Sequence, residues 1–177
     1  MKKLITLMMS ALSAPAAFAA LNVGDVAPDF TTQATLGGRE FIFHLADALK
    51  KGPVVVYFYP AAFTKGCTIE AHDFAQAMPR YQALGASVIG VSADSIDTLN
   101  KFSVSECQSK FPVASDASQA IMKAYDAVLL WKTSYANRTS YVVTPDGKIA
   151  YRYSNMDPDR HVENTLAAIK AWTERKP

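Results

Sequence analysis

The sequence predicts an α/β domain in which helices cover both faces of a mixed β-sheet. Two segments, residues 54–59 (VVVYFY) and 87–92 (SVIGVS), are dominated by apolar residues, as strands buried on both faces are. A segment with helical apolar spacing follows each of them. A hairpin pattern around Pro145, Asp146 and Gly147 and a closing amphipathic helix come last. This alternation indicates an α/β sandwich.

The other elements follow from the same patterns in chain order. Before strand 54–59, the sequence predicts an extended lead-in at 21–30, a turn at Gly37-Gly38 and a short helix at 41–49. After this strand, the sequence predicts a helix from Cys67 to near Gly85, strand 87–92 and a helix capped by Asp94 or Ser95. The predicted elements that follow are a strand at 112–114, a helical turn at 119–125, hairpin strands 139–144 and 148–153, and a helix through Trp172. The layout is that of thioredoxin-like folds.

The N-terminal segment has the pattern of a secretory signal peptide. Two lysines precede an apolar run, and a small-x-small pattern ends at Ala19. We therefore expect a signal peptide at 1–19, a thioredoxin-like domain at 20–177, and an exported, periplasmic protein. An uncleaved membrane anchor is the weaker alternative, because the run is shorter than the ~20 residues that a membrane span needs.

The amino-acid composition and net charge exclude several classes of protein. The 177 residues are 50% hydrophobic and 19% charged, which is typical of one globular domain. The net charge of +2 disappears when the two leader lysines are removed, and no basic run remains, so nucleic acid is not an expected partner. No cluster of metal ligands is evident, and we expect no cofactor.

Cys67 lies in the first turn of a predicted helix, at the carboxyl end of a central strand. Open α/β sheets bind ligands at this edge, and a helix N-terminus favours a thiolate over a thiol. Gly66 lets the backbone approach a bound group, and the Thr64 hydroxyl can hydrogen-bond the sulfur. From these residues alone, a small buried hydrophobe is an equal alternative for Cys67. No C-x-x-C pair is present, so any disulfide must use Cys107.

Three segments together resemble the peroxiredoxins. In YPAAFTKGCTIEA, the residues Pro60, Thr64 and Cys67 match the family pattern Pro-x-x-x-Thr/Ser-x-x-Cys, and the whole segment resembles the bacterioferritin-comigratory (Q-type) subgroup. The lead-in GDVAPDF resembles the family's opening. The segment NRTSYVVTPDGKI resembles its late arginine–strand–hairpin region and contains Arg138. The resemblance covers nearly all of the chain after the leader.

The resemblance implies a thiol-dependent peroxidase that reduces hydrogen peroxide and organic hydroperoxides. Cys67 would be the peroxidatic residue and become a sulfenic acid. Arg138 would favour the thiolate, and Thr64 would hydrogen-bond the sulfur and the peroxide. Pro60 would shield the site from water, and Glu70 would support it. A thioredoxin-like protein would supply electrons, and the enzyme would be a monomer or weak dimer.

The chain departs from the subgroup in its second cysteine. In many Q-type members a resolving cysteine occupies the position of His72, whereas other members carry it where Cys107 falls. The resemblance therefore implies an intramolecular Cys67–Cys107 disulfide. An inert Cys107 and a one-cysteine mechanism are the alternative. We expect His44, His72 and His161 to be surface or structural residues.

Two other classes of function stay open at this stage. One is an exported thioredoxin-fold thiol–disulfide oxidoreductase that acts on proteins. The other is a non-catalytic module whose two cysteines form a structural disulfide. Trp131 and Tyr135 could line a peroxide pocket or pack in the core.

Overall fold

A computed structural model describes residues 21–175, so the predicted signal peptide at 1–19 lies outside the described residues. The strands are β1 (Thr31–Leu36), β2 (Arg39–His44), β3 (Val54–Phe58), β4 (Ser87–Ser92), β5 (Val113–Ser115), β6 (Thr139–Val143) and β7 (Ile149–Ser154). The helices are α1 (Leu45–Leu49), α2 (Lys65–Ala83), α3 (Ile96–Ser105), α4 (Ala120–Ala124) and α5 (His161–Glu174), with a 3-10 turn at Pro158–Arg160.

One mixed sheet joins all of these strands in the order β2-β1-β5-β4-β3-β6-β7. Strands β3, β4 and β5 run parallel, whereas β1, β2, β6 and β7 pair antiparallel with their neighbours. The predicted mixed sheet flanked by helices is thereby confirmed. Strand β3 lies between β4 and β6, so the segment that follows it emerges from an interior strand of the sheet.

The alternating side chains of β3 divide the core into two layers. Tyr57 and Tyr59 point to the layer that α2, α3 and α5 cover, which also contains Cys67 and Cys107. Phe58 points to the opposite layer, beneath α1 and α4. A strand with apolar residues on both faces is required between two such layers. The two cysteines therefore share one side of the sheet.

The predicted helix at 41–49 is wrong over its first half. Residues Arg39–His44 form β2, which pairs with β1, and α1 begins only at Leu45. The two strands are joined at Gly37-Gly38, where positive φ values of 58° and 75° suit glycine and confirm the predicted turn. Strand β2 is a sheet edge with Ile42 57% exposed, so it lacks the clean in–out alternation that identifies a half-buried strand.

Helix α3 ends two residues before Cys107. Ser95, rather than Asp94, caps its start by accepting a hydrogen bond from the Thr98 amide at 3.4 Å. Cys107 lies in the turn after the helix, where its amide donates to the Phe102 carbonyl at 3.1 Å. Although the helix does not reach it, the cysteine is buried.

The C-terminal third agrees with the sequence pattern. Strands β6 and β7 form the predicted hairpin, and α5 buries Val162, Leu166 and Ile169 against the sheet. Trp172, expected on the same face, is only half-buried. Among residues 21–175, no helix combines the length and apolar character needed to cross a membrane.

Candidate active site

Cys67 is the third residue of α2 and is almost completely buried, with 1% of its surface exposed. Thr64 is the residue before the helix and has an extended backbone, with ψ of 148°. The chain reaches it from β3 through Tyr59 and Pro60. The sulfur thus lies in the first helical turn at the carboxyl end of the central strand, as the sequence predicted, where unpaired amide groups favour negative charge.

Arg138 immediately precedes β6 and contacts the sulfur directly. Its Nη2 donates to Cys67 Sγ at 3.5 Å, its Nη1 donates to Glu70 Oε2, and its Nε donates to the Met156 carbonyl at 3.0 Å. The guanidinium is buried and held from three directions. A fixed positive charge beside a buried sulfur stabilises the thiolate that a nucleophilic cysteine requires.

Gly66 makes room for this arginine. A Cβ atom at position 66 would lie 3.0 Å from Arg138 Nη2. The sequence predicted that glycine allows a close approach here, and the approaching group is the guanidinium of the protein itself.

Glu70 and His161 extend the site into the core beneath α5. Glu70 Oε1 has no hydrogen-bond partner and lies 3.7 Å from His161 Nδ1. Burial raises the pKa of Glu70 to about 8, although the charge of Arg138 acts in the opposite direction. Burial lowers the pKa of His161 to about 4, and Arg138 adds to this effect through its charge.

His161 is structural, as expected, but its closeness to the site was not predicted. Its ring nitrogens lie 2.8 Å from Ser140 Oγ and 2.9 Å from the Asn155 carbonyl oxygen. No local pattern links α5 to the start of α2, so only the tertiary structure identifies this residue.

Thr64 and Pro60 lie around the cysteine without contacting it through a described hydrogen bond. The Thr64 hydroxyl is exposed and donates to the Ala61 carbonyl at 3.0 Å, so its predicted contact with the sulfur is not formed here. Pro60 is half-buried. Asp94, which sequence reasoning treated only as a helix cap, holds this loop by accepting from the Ala62 amide at 2.8 Å.

Cys107 is free, as is Cys67, and burial raises the pKa of its thiol well above the usual range. The two thiols belong to the same core layer, together with the stacked rings of Tyr57 and Tyr59. Next to Cys107, the carboxylate of Glu106 lies 3.0 Å from His72 Nε2. This pair connects α2 to the turn that carries the second cysteine.

Trp131 and Tyr135 do not contribute to the core. Trp131 is 76% exposed, and Tyr135 is half-buried with Lys132 Nζ 4.1 Å from its ring centre. Within residues 21–175, no group of three or more His, Cys, Asp or Glu side chains could hold a metal ion.

A thioredoxin-like sheet and a buried cysteine at a helix start beside an arginine define a thiol-based redox enzyme. The profile of the AhpC/TSA family matches residues 23–152, and the chain belongs to this family of peroxiredoxins. Relatives named peroxiredoxin Bcp and peroxiredoxin Q support the Q-type subgroup.

Curated and solved relatives agree with this assignment. Peroxiredoxin Bcp of Xanthomonas campestris pv. campestris is 32% identical over 128 residues, which are 69% of this chain and 79% of that protein. The structure of peroxidoxin BcpB from Mycobacterium tuberculosis superposes with a TM-score of 0.78 at 30% identity, covering 85% of this chain and 97% of the other. PrxQ from Xylella fastidiosa shows the same fold, with a TM-score of 0.78 at 24% identity over 88% of this chain and 99% of that one.

The protein is therefore a thiol-dependent peroxidase, an oxidoreductase. The thiol–disulfide oxidoreductase and the non-catalytic module that the sequence left open are not favoured.

Proposed function

We propose that Cys67 is the residue that reduces hydrogen peroxide and organic hydroperoxides, as a thiolate stabilised by Arg138. The observation that carries this proposal is the buried sulfur 3.5 Å from the guanidinium in the first turn of α2. The thiolate attacks one peroxide oxygen, and the O–O bond breaks. The second oxygen leaves with the electron pair and is protonated to water or alcohol, while Cys67 becomes a sulfenic acid.

Cys107 is the proposed resolving residue. Its thiol loses a proton and attacks the sulfenic sulfur, the S–S bond forms, and hydroxide leaves as water. A shared core layer and the position of Cys107 outside helix α3 support this role. Because burial opposes ionisation of Cys107, we expect the turn after α3 to open locally before the Cys107 thiol attacks.

Cysteine variants test both roles. We expect Cys67→Ser to abolish hydroperoxide consumption with a general dithiol reductant, whereas Cys107→Ser keeps the first reaction with peroxide. One equivalent of peroxide without reductant should decrease the intact mass of the wild type by two hydrogens. A persistent sulfenic or sulfinic adduct in the wild type would contradict the disulfide but not the peroxidase function.

The reductant and location are proposed from the leader and the class of enzyme. A periplasmic protein released by cleavage after Ala19 would receive electrons from a thioredoxin-like dithiol protein that is itself supplied with reducing equivalents. The intact mass of protein from a periplasmic fraction should correspond to a chain beginning at Ala20. Retention of the leader would contradict this proposal. Analytical ultracentrifugation of the same material tests the expected monomer or weak dimer.

A further inference from the structure

Building on the proposed peroxidase function, we propose that Glu70 is a neutral carboxylic acid in the reduced enzyme and that its Oε1 holds the proton that Cys67 releases on becoming a thiolate. Glu70 would then be a positioning residue that stores a proton beside the reacting sulfur.

The two oxygens of Glu70 have different surroundings. Oε2 accepts a hydrogen bond from Arg138 Nη1. Oε1 is buried, receives no hydrogen bond from any described residue, and lies 3.7 Å from His161 Nδ1. An ionised oxygen without a donor is costly in a protein interior, whereas a protonated one supplies its own donor.

The tautomer of His161 determines what Oε1 faces. Its Nε2 lies 2.9 Å from the Asn155 carbonyl oxygen, which can only accept, so Nε2 carries a hydrogen. The buried ring is neutral at pH 7, because its pKa is lowered to about 4, and Nδ1 therefore presents a lone pair, with the Ser140 hydroxyl donating to it at 2.8 Å. An ionised Oε1 would face this lone pair with its own negative charge. A protonated Oε1 would face an acceptor.

Charge balance points in the same direction. With both Cys67 and Glu70 ionised, the buried site would contain two negative charges and the single positive charge of Arg138. With Glu70 neutral, Arg138 and the thiolate balance one another. Asp73, also on α2, raises the pKa of Glu70 through its negative charge. The phenols of Tyr57 and Tyr81 are the other titratable groups that interact electrostatically with Glu70 in the described structure, and burial keeps both of them neutral.

The net charge of the site also stays at zero during the reaction with peroxide. The proton first passes from the Cys67 thiol to Glu70, which gives a thiolate and a carboxylic acid. The thiolate then becomes a neutral sulfenic acid, and the departing alkoxide or hydroxide receives a proton as Glu70 becomes a carboxylate. Arg138 now balances Glu70 instead of the sulfur. The site is neutral before and after the step, and no proton is taken from solution.

Proton counting in a single turnover tests this inference. One equivalent of hydrogen peroxide is added to the reduced wild type at about pH 9 in weak buffer with a pH indicator. At this pH Glu70 stays ionised after the thiolate is consumed, because its pKa without the charge of the thiolate is about 8. We expect no proton uptake, since the subsequent disulfide step is also proton-neutral. Glu70→Gln has no carboxylic acid proton to give to the leaving group, so this variant should take up one proton per enzyme from solution. Cys67→Ser should show no reaction. Uptake of one proton by the wild type, or none by Glu70→Gln, would overturn the inference.

Infrared spectroscopy tests it independently of any variant's folding. At the same pH as the proton counting, reduced wild type labelled with ¹³C-glutamate should show the carbonyl stretch of a protonated carboxylic acid, shifted in D₂O and lost when peroxide is added. Absence of that band in the reduced enzyme would sink the inference. Peroxide consumption in the same samples distinguishes failure of the proposed function from failure of the role of Glu70. No consumption contradicts the proposed function, whereas consumption without the band contradicts only the role of Glu70.

Discussion

Arg138 bonds through all three nitrogen groups of its guanidinium, which reach a sulfur, a carboxylate and a backbone carbonyl. Small displacements of the Arg138 side chain would therefore directly affect Cys67, the proposed nucleophile. Gly66 is the residue that sets the available space, since a Cβ there would lie 3.0 Å from Nη2.

The substitution Gly66→Ala should slow the reaction of Cys67 with peroxide much more than it changes the free energy of unfolding. The added methyl group displaces the guanidinium, so the rate constant of Cys67 with peroxide should fall about 10- to 100-fold. Alanine favours a helix over glycine by up to ~1 kcal/mol, which offsets part of the hydrogen bonding that the displaced guanidinium loses, so the free energy of unfolding should change by less than about 2 kcal/mol. Stopped-flow kinetics and urea titration measure the two quantities. Lys65→Ala, an exposed change in the same turn, should leave both unaltered, and an unchanged rate in Gly66→Ala would contradict the steric explanation.

Two buried tyrosines should respond to loss of their hydroxyl groups in opposite directions. The Tyr57 hydroxyl has no described hydrogen-bond partner and packs against Gly90, so Tyr57→Phe should raise the free energy of unfolding by about 1 kcal/mol. The Tyr81 hydroxyl lies 2.7 Å from Thr165 Oγ1, so Tyr81→Phe should lower it by about 1 kcal/mol. Urea denaturation of both variants measures the difference, and equal losses would contradict this account.

At the element scale, the strand β3 and helix α2 were predictable because their apolar periods are clear. Strand β1 was missed since its sequence, TTQATL, is mostly polar, and β2 was assigned to a helix because FIFHLADAL allows both periods. The positions of Cys67 and Gly66 at the start of α2 were predictable as well, because the apolar period of α2 is clear. The contacts of His161 and Asp94 were not, since they join residues that only the folded sheet brings together.

The pair of His72 and Glu106 is the contact between elements that bears most directly on Cys107. Because it joins α2 to the turn after α3, we expect His72→Ala to ease local opening and accelerate formation of the Cys67–Cys107 disulfide about two- to fivefold. Acid-quenched mass spectrometry over time measures the rate. Arg80→Ala removes a different side-chain contact of α2, the ion pair with Glu163, and should not change the rate of disulfide formation. A slower reaction in His72→Ala would contradict the expectation.

At the scale of the whole molecule, buried titratable groups make stability depend on pH. The pKa of His161 falls from 6.5 to about 4 on folding, so its contribution to stability increases with pH up to 6.5. The pKa of Glu70 rises from 4.5 to about 8, so the native state binds the extra proton and stability decreases as pH rises towards 8. Below pH 6.5 the two effects oppose one another, and above it only that of Glu70 remains.

In the reduced wild type, the proton that Glu70 binds comes from Cys67, which offsets this dependence, so the change is measured on Cys67→Ser. We expect the free energy of unfolding of Cys67→Ser to fall by ~1–2 kcal/mol between pH 6.5 and 8. Urea titrations at several pH values measure this change. The same titrations on the double variant Cys67→Ser, Glu70→Gln should give a flatter profile over this range, because the group responsible is absent. Parallel profiles for the two proteins would show that Glu70 does not titrate there.

Arg138 connects Cys67 to the protein surface, because it contacts the sulfur through Nη2 and the Met156 carbonyl through Nε. The Asn155 amide also donates to the Arg138 carbonyl at 3.1 Å, so the loop after β7 is attached to this residue through both backbone and side chain. In the proposed oxidised state, in which Cys67 moves away to join Cys107, the guanidinium would lose one of its three partners. Met156, whose side chain is exposed, would then lie on a loop whose contacts with Arg138 differ between the reduced enzyme and the proposed disulfide form. A reducing protein that contacts this loop would recognise the oxidation state of a sulfur that it does not touch.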